Sequence, residues 1–251
     1  MIDKAEIRHR FRKSVESYDD HADAQKAIVR RLTALLDAYV PGVSGDILEV
    51  GCGTGLLTER LTGKYGKDGL FINDLVDVMC AKTATRCQLP PEHCLVGDIE
   101  QIAVEGCFDL IVSASTFQWL ACPAETFARL SARLCPGGIM VFSTFGKENC
   151  KELRSLTGTG LTYYSLAEMT DLLSPCLEVV HAEEDYCVLE FEHPLDVLRH
   201  VKNTGVNAMN LRESWTPGRL EKFVREYKER FQTGGRCPLT YHPQYFVCKK
   251  R

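Results

Sequence analysis

The chain of 251 residues contains no apolar run near the roughly 20 residues that cross a bilayer, so no membrane span is expected. It has no surplus of positive charge. Its 30 Lys and Arg stand against 34 Asp and Glu, a net charge of -4, which argues against a general nucleic-acid binder. It carries twelve cysteines but no C-x-x-C pair and no cysteine–histidine cluster with metal-ligand spacing. No metal is expected, and the cysteines read as small buried hydrophobes in a reducing compartment. The opening stretch MIDKAEIRHRFRKS is charged throughout and lacks the apolar segment of a secretory signal. A cytoplasmic protein is the expectation. Internal repeats, low-complexity stretches and long linkers are absent too, so the length suits one α/β domain with insertions.

What is present is an alternation. Residues 1–42 read as a helical cap, in which Ile28, Leu32, Leu35 and Leu36 share one face before Pro41 and Gly42 end the pattern. Short apolar runs follow at 46–50, 69–73, 93–97, 108–113 and 138–144, separated by helical patterns near 55–64, 77–87 and 123–134. Strands alternating with helices predict a doubly wound, mostly parallel sheet. LCPGG at 134–138 reads as a helix stop and a turn into the fifth strand. After residue 145 the pattern loosens. Ser165 and Glu168 have capping-box spacing, the run 177–191 reads as one strand, and Thr216 with Pro217 opens a helix whose face is Leu220, Phe223, Val224, Tyr227 and Phe231. YHPQYFVCKKR supplies the last strand. Segment 192–236 reads as a helical insertion packed on the main sheet.

The first apolar run ends in a glycine loop, DILEVGCGTG. Glycines there let a backbone approach a ligand, and the following helix offers free N–H groups. Gly51, Gly53 and Gly55 do not match G-x-G-x-x-G, because Leu56 fills the sixth position, and no G-K-[ST] follows. Diphosphate ligands are therefore disfavoured. Asp74, 19 residues past Gly55, ends the second strand and can accept hydrogen bonds from both hydroxyls of a ribose. Asp98 ends the third strand within GDIE, and Asp109 stands at the fourth. A glycine loop with acids at successive strands points to a ligand cleft at the carboxyl edge of the sheet.

LEVGCGTG, Asp74, GDIE, FDLIVS and LCPGG resemble the motif series of class I S-adenosylmethionine-dependent methyltransferases over about 45–145. The resemblance implies a Rossmann-like seven-stranded sheet whose last strand runs antiparallel, a cofactor S-adenosylmethionine released as S-adenosylhomocysteine, and a set of contacts. Glu49, Gly51, Gly53 and Gly55 would lie under the methionine part. Asp74 and Leu75 would hold the ribose side, Asp98 and Ile99 the adenine, and Ser113 would lie beside the methionine end. The flanks FRKSVESYDDHADAQ, FQWL, STFGKENCKEL, HVKNTGVNAMN and LTYHPQYFVCKK resemble more narrowly the malonyl-acyl carrier protein O-methyltransferases of biotin synthesis. The stretch DLVDVM departs from the commoner D-[IL]-S-P-x-M of that family and keeps Asp74.

That resemblance implies methyl transfer to the free carboxylate of a malonyl group on acyl carrier protein or coenzyme A, by one domain over 1–251 whose 192–236 insertion lies over the acceptor site. Such a carboxylate needs no general base. Tyr18, Gln118, Trp119, Arg154, Lys202, Arg212 and His242 are the candidates for positioning it. Segment 192–236 holds nine Lys and Arg against six Asp and Glu, and 8–13 adds a basic cluster, a charge asymmetry suited to an acidic carrier protein. A methyltransferase of another small carboxylic acid, a non-catalytic cofactor-binding protein and a nicotinamide oxidoreductase remain the alternatives.

Overall fold

The computed structural model describes residues 2–16, 22–204 and 215–251. Tyr18 and Arg212 lie outside the described residues. Two helices precede the sheet. Helix α1 (Lys4–Ser14) starts where the Asp3 carboxylate accepts the Glu6 amide at 3.1 Å. Helix α2 (Asp23–Tyr39) buries Ile28, Leu32, Leu35 and Leu36 as its spacing predicts.

Strands β1 (Asp46–Val50), β2 (Leu70–Asp74), β3 (Cys94–Val96), β4 (Phe108–Ala114), β5 (Leu134–Phe145) and β6 (Leu177–Glu184) join the last strand, β9 (Pro243–Lys250), in a seven-stranded sheet of order β3-β2-β1-β4-β5-β9-β6. β1 to β5 pair in parallel, and β9 runs antiparallel between β5 and β6. The connecting helices α3 (Leu56–Tyr65), α4 (Asp77–Cys87) and α5 (Pro123–Ala132) follow the expected order. Ile47, Leu110 and Val141 face one apolar layer with α2 and Leu61 of α3, while Leu48, Ile111 and Phe142 face another with Phe127 of α5. Burial on both faces explains why these strands read as continuous apolar runs. The strand order reverses between β2 and β4 on either side of β1, so the loops leaving β1 and β4 diverge and open a crevice at the carboxyl edge.

Four details depart from the sequence reading. LCPGG is not a turn before β5 but part of it. Phe108 pairs with Leu134 and Leu110 with Ile139, so residues 135–138 form an irregularity inside the strand. That register brings Cys107 and Cys135 together with Cα atoms 5.2 Å apart, and they are paired, whereas ten other cysteines are free. The run 177–191 breaks after Glu184. The Asp185 carboxylate takes the Tyr186 amide at 2.7 Å, and the continuation, β7 (Cys187–Phe191), leaves the main sheet to pair with β8 (Cys237–Tyr241). Helices α8 (Pro194–Asn203) and α9 (Pro217–Phe231) pack on each other and on that small sheet, and α9 also on the helix over 151–157, with Val197, Val201, Phe223, Tyr227, Leu239 and Tyr241 in one apolar cluster. Between β5 and β6 lie α6 (Lys151–Thr157) and α7 (Leu166–Leu173), the latter opened by the expected Ser165–Glu168 capping box.

Candidate active site

The glycine loop is fixed by bonds to β2. The Gly51 and Cys52 amides both donate to the Asn73 carbonyl, at 2.8 and 2.9 Å, and the Gly53 amide donates to Asp74 Oδ2 at 2.9 Å. Gly51 and Gly53 have φ of 76° and 53°, a region L side chains rarely adopt. A Cβ on Gly51 would overlap the Thr116 side chain, whereas one on Gly53 would meet nothing within 4 Å. Gly51 is thus packed from behind, and Gly53 faces open space.

That space is a cleft of about 110 Å³ lined by Gly51, Gly53, Asp74, Leu75, Asp98 and Ile99 among others. These are six of the residues predicted to contact S-adenosylmethionine. Asp74 Oδ1 also accepts the Val76 amide at 2.8 Å, and burial lifts its pKa to about 6. Its oxygens retain acceptor capacity towards a diol. Glu49, at 1% exposure, borders a smaller cavity of about 50 Å³ under the same loop. Its Oε2 is buried without a partner. Burial, with Asp74's like charge adding to it, raises its pKa to about 8. A buried, unpaired carboxylate oxygen beside the glycine loop fits a cationic ligand group such as the methionine ammonium, so the residues present suit the implied cofactor.

Helix α1 closes one side of the cleft through Ile7 and Phe11. Polar bonds tie it to the sheet edge. Lys4 Nζ reaches Asp98 Oδ1 at 3.2 Å and Glu100 Oε2 at 2.6 Å, Arg8 Nε donates to the Leu75 carbonyl at 3.1 Å, and Arg12 meets Asp77 at 3.2 Å. Asp98 is therefore already engaged on one oxygen. Glu100 accepts the Ala121 and Cys122 amides as well. Burial raises its pKa, but these donors and Lys4 outweigh that and lower it.

A second cavity of about 370 Å³ adjoins the cleft, sharing Ile7, Gln118, Trp119, Leu120 and Phe145 with it and adding Arg10, Tyr163 and Tyr164. Gln118 and Trp119 thus stand at the boundary between the two. Gln118 Nε2 donates to the Ser115 carbonyl at 2.5 Å while its Oε1 is buried without a partner. Trp119 packs edge-on to Phe11.

Several predicted residues lie elsewhere. Gly55 caps α3. Ser113 is fully buried and donates to the Val50 carbonyl at 2.8 Å, a cross-strand tie behind the cleft. Asp109 stands at the start of β4, at the amino edge, where it accepts the Gly45 amide at 2.7 Å. It does not belong with Asp74 and Asp98. Arg154 bonds to the Lys147 and Asn149 carbonyls, lies over the Tyr163 ring, and borders a separate groove with Lys147 and Lys151. His242 is 4% exposed, stacks on Tyr186 and accepts the Glu148 amide at 3.1 Å. Lys202 is exposed on α8. The sequence reading passed over Gln25, Arg10 and Tyr163. Gln25 did carry a signal, a polar residue three positions before Ile28 on the apolar stripe of α2. Among the described residues no group of His, Cys, Asp and Glu suits a metal ion.

A methyltransferase-domain family model matches residues 48–142. The YcgJ protein from Bacillus subtilis superposes with a TM-score of 0.61 at 12% identity, over 88% of this chain and 97% of that one. The N-methyltransferase NodS from Bradyrhizobium japonicum, solved with S-adenosylhomocysteine, gives 0.52 at 17% identity over 92% and 87%. Sheet order, glycine loop and cleft define a class I S-adenosylmethionine-dependent methyltransferase. Two curated malonyl-[acyl-carrier protein] O-methyltransferases reach further along the sequence. That of Bacteroides thetaiotaomicron is 36% identical over 100% of this chain and 99% of its own length, and that of Haemophilus influenzae 37% over 99% and 95%. The chain belongs to the malonyl-[acyl-carrier protein] O-methyltransferase family.

Proposed function

We propose that this protein methylates the free carboxylate of a malonyl thioester on acyl carrier protein, with S-adenosylmethionine as donor, to give the methyl ester that enters biotin synthesis. One observation carries the reading. Relatives of that name align end to end, and the second cavity is lined from both flanks of the matched domain, by Ile7 and Arg10 before it and Tyr163 and Tyr164 after it.

The donor, when bound, supplies a methyl group activated on a sulfonium. A malonyl carboxylate with pKa near ~4 is already ionised at pH 7, so no residue has to remove a proton. The chain's work is binding and alignment. Glu49, Gly51 and Gly53 hold the methionine end, Asp74 and Leu75 the ribose side, and Asp98 with Ile99 the adenine. Gln118 and Trp119 border the path the oxygen takes, and α1 keeps water from the cleft. Alignment of this kind supplies up to about 7–11 kcal/mol. Arg10 is the cation among the residues lining the second cavity. Its Nε is held by Glu6 Oε1 at 2.7 Å, and its guanidinium carries further N–H groups suited to the acceptor carboxylate. Tyr18, Arg154 and His242 are retained as acceptor-positioning residues only through the resemblance. The surplus of basic residues in 192–236, Lys202 and Arg212 among them, suits the docking of an acidic carrier.

Incubation with methyl-labelled S-adenosylmethionine tests the proposal. Label is expected in malonyl-acyl carrier protein, and equal or better labelling of a free small acid such as trans-aconitate refutes the carrier reading. Reversing charge at Lys202 and Arg212 together is expected to slow reaction with malonyl-carrier protein more than with malonyl-coenzyme A.

A further inference from the structure

Of the buried oxygens that lack a hydrogen-bond partner among the described residues, two belong to residues that border the same space. Glu49 Oε2 belongs to β1, and Gln25 Oε1 to the first turn of α2. Gln25 is 4% exposed. Both residues line the cavity of about 50 Å³ under Gly51, Cys52 and Gly53, and Gln25 reaches the larger cleft as well. An unpaired amide oxygen in the interior destabilises a fold. Its neighbours on the stripe, Ile28, Val29 and Leu32, are aliphatic, so packing alone gives no reason for a glutamine here. The chemistry of the pair supplies one. A carboxylate offers acceptors only, and an amide offers one acceptor and two donors. Side by side they complement a zwitterion, with the two oxygens meeting an ammonium and the amide N–H groups meeting a carboxylate.

We infer that Gln25 is a specificity residue for the α-amino-acid end of the methyl donor, forming with Glu49 a two-oxygen cradle for its ammonium group. The inference rests on the donor assigned above and extends it, because the ligand then bridges the glycine loop and the helical cap. Gln25 acts on binding and orientation and touches no reacting bond.

Calorimetric titration of the full chain with two ligands tests it. S-adenosylhomocysteine carries the amino-acid end, and 5′-methylthioadenosine keeps the adenosine and thioether without it. Gln25→Leu is expected to weaken S-adenosylhomocysteine binding about 10- to 100-fold, the range covered by a hydrogen bond to a charged group, and to change methylthioadenosine binding by less than about twofold. Equal weakening of both ligands marks a structural role and overturns the inference, as does unchanged binding of both. Gln25→Met, which keeps the length of the side chain, serves the same comparison where the leucine variant does not fold. A wild-type protein that binds both ligands equally refutes the cradle while the donor assignment stands. One that binds neither refutes the donor assignment and the cradle with it.

Discussion

Two glutamates, one in each half of the molecule, are equally buried and differently used. Glu152, 2% exposed on α6, gives both oxygens to Thr240 of β8, accepting its amide at 3.0 Å and its hydroxyl at 2.5 Å. Glu49, 1% exposed on β1, keeps one oxygen unpartnered. The first carboxylate joins α6 to the small sheet, a connection completed within the chain. The second leaves one acceptor open to a ligand beside the glycine loop. Of these two carboxylates, Glu152 serves stability, while at Glu49 the fold carries a cost that binding offsets.

Substitutions can break this contrast. Glu152→Ala leaves two Thr240 donors buried without partners and opens a cavity, so it is expected to lower unfolding free energy by about 2–4 kcal/mol in urea titration. Glu49→Gln is expected to weaken S-adenosylhomocysteine binding by about 1.5–3 kcal/mol without lowering the unfolding midpoint. If Glu49→Gln unfolds as readily as Glu152→Ala, the two sites do not differ. Asp74→Ala removes acceptors for the ribose and should cost about 1–3 kcal/mol of cofactor affinity by calorimetry.

The comparison is sharpened through pH. Folding lifts Glu49 from an ordinary 4.5 to about 8, so its proton is favoured in the folded, ligand-free state. Its contribution to stability is complete below pH 4.5 and is lost as pH rises to 8. The stability difference between Glu49→Gln and wild type should therefore grow in the variant's favour over that window. An ammonium bound beside Glu49 must displace the proton, so S-adenosylhomocysteine affinity should rise with pH, by at most about tenfold per unit, level off above 8, and lose this rise in Glu49→Gln.

The parallel half was legible in the sequence because its signals are local. Strands β1 to β4 lie within a residue or two of their apolar runs, and Glu49, Gly51, Asp74 and Asp98 are fixed by position at strand ends. Asp109 was misjudged because it was grouped by residue type, although it opens its strand. The acceptor side was less legible because long-range contacts build it. Lys4 meets Asp98 across 94 residues, and no spacing rule announces that α1 folds back over the sheet edge. The break after Glu184 was hidden because β7 continues the alternation with no glycine or proline between. His242 offered the right chemistry for a carboxylate, but β8 and β9 turn it inward against Tyr186.

The position of β9 bears on how the chain is made. β6 has one neighbour in the sheet, and that neighbour is β9, so everything from Asp185 to Lys250 must emerge before β6 can pair. At roughly 5–20 residues per second, translation holds that edge open for several seconds. Over that interval the ribosome displays a nascent chain whose parallel strands can already assemble, while β5 and β6 await the strand between them.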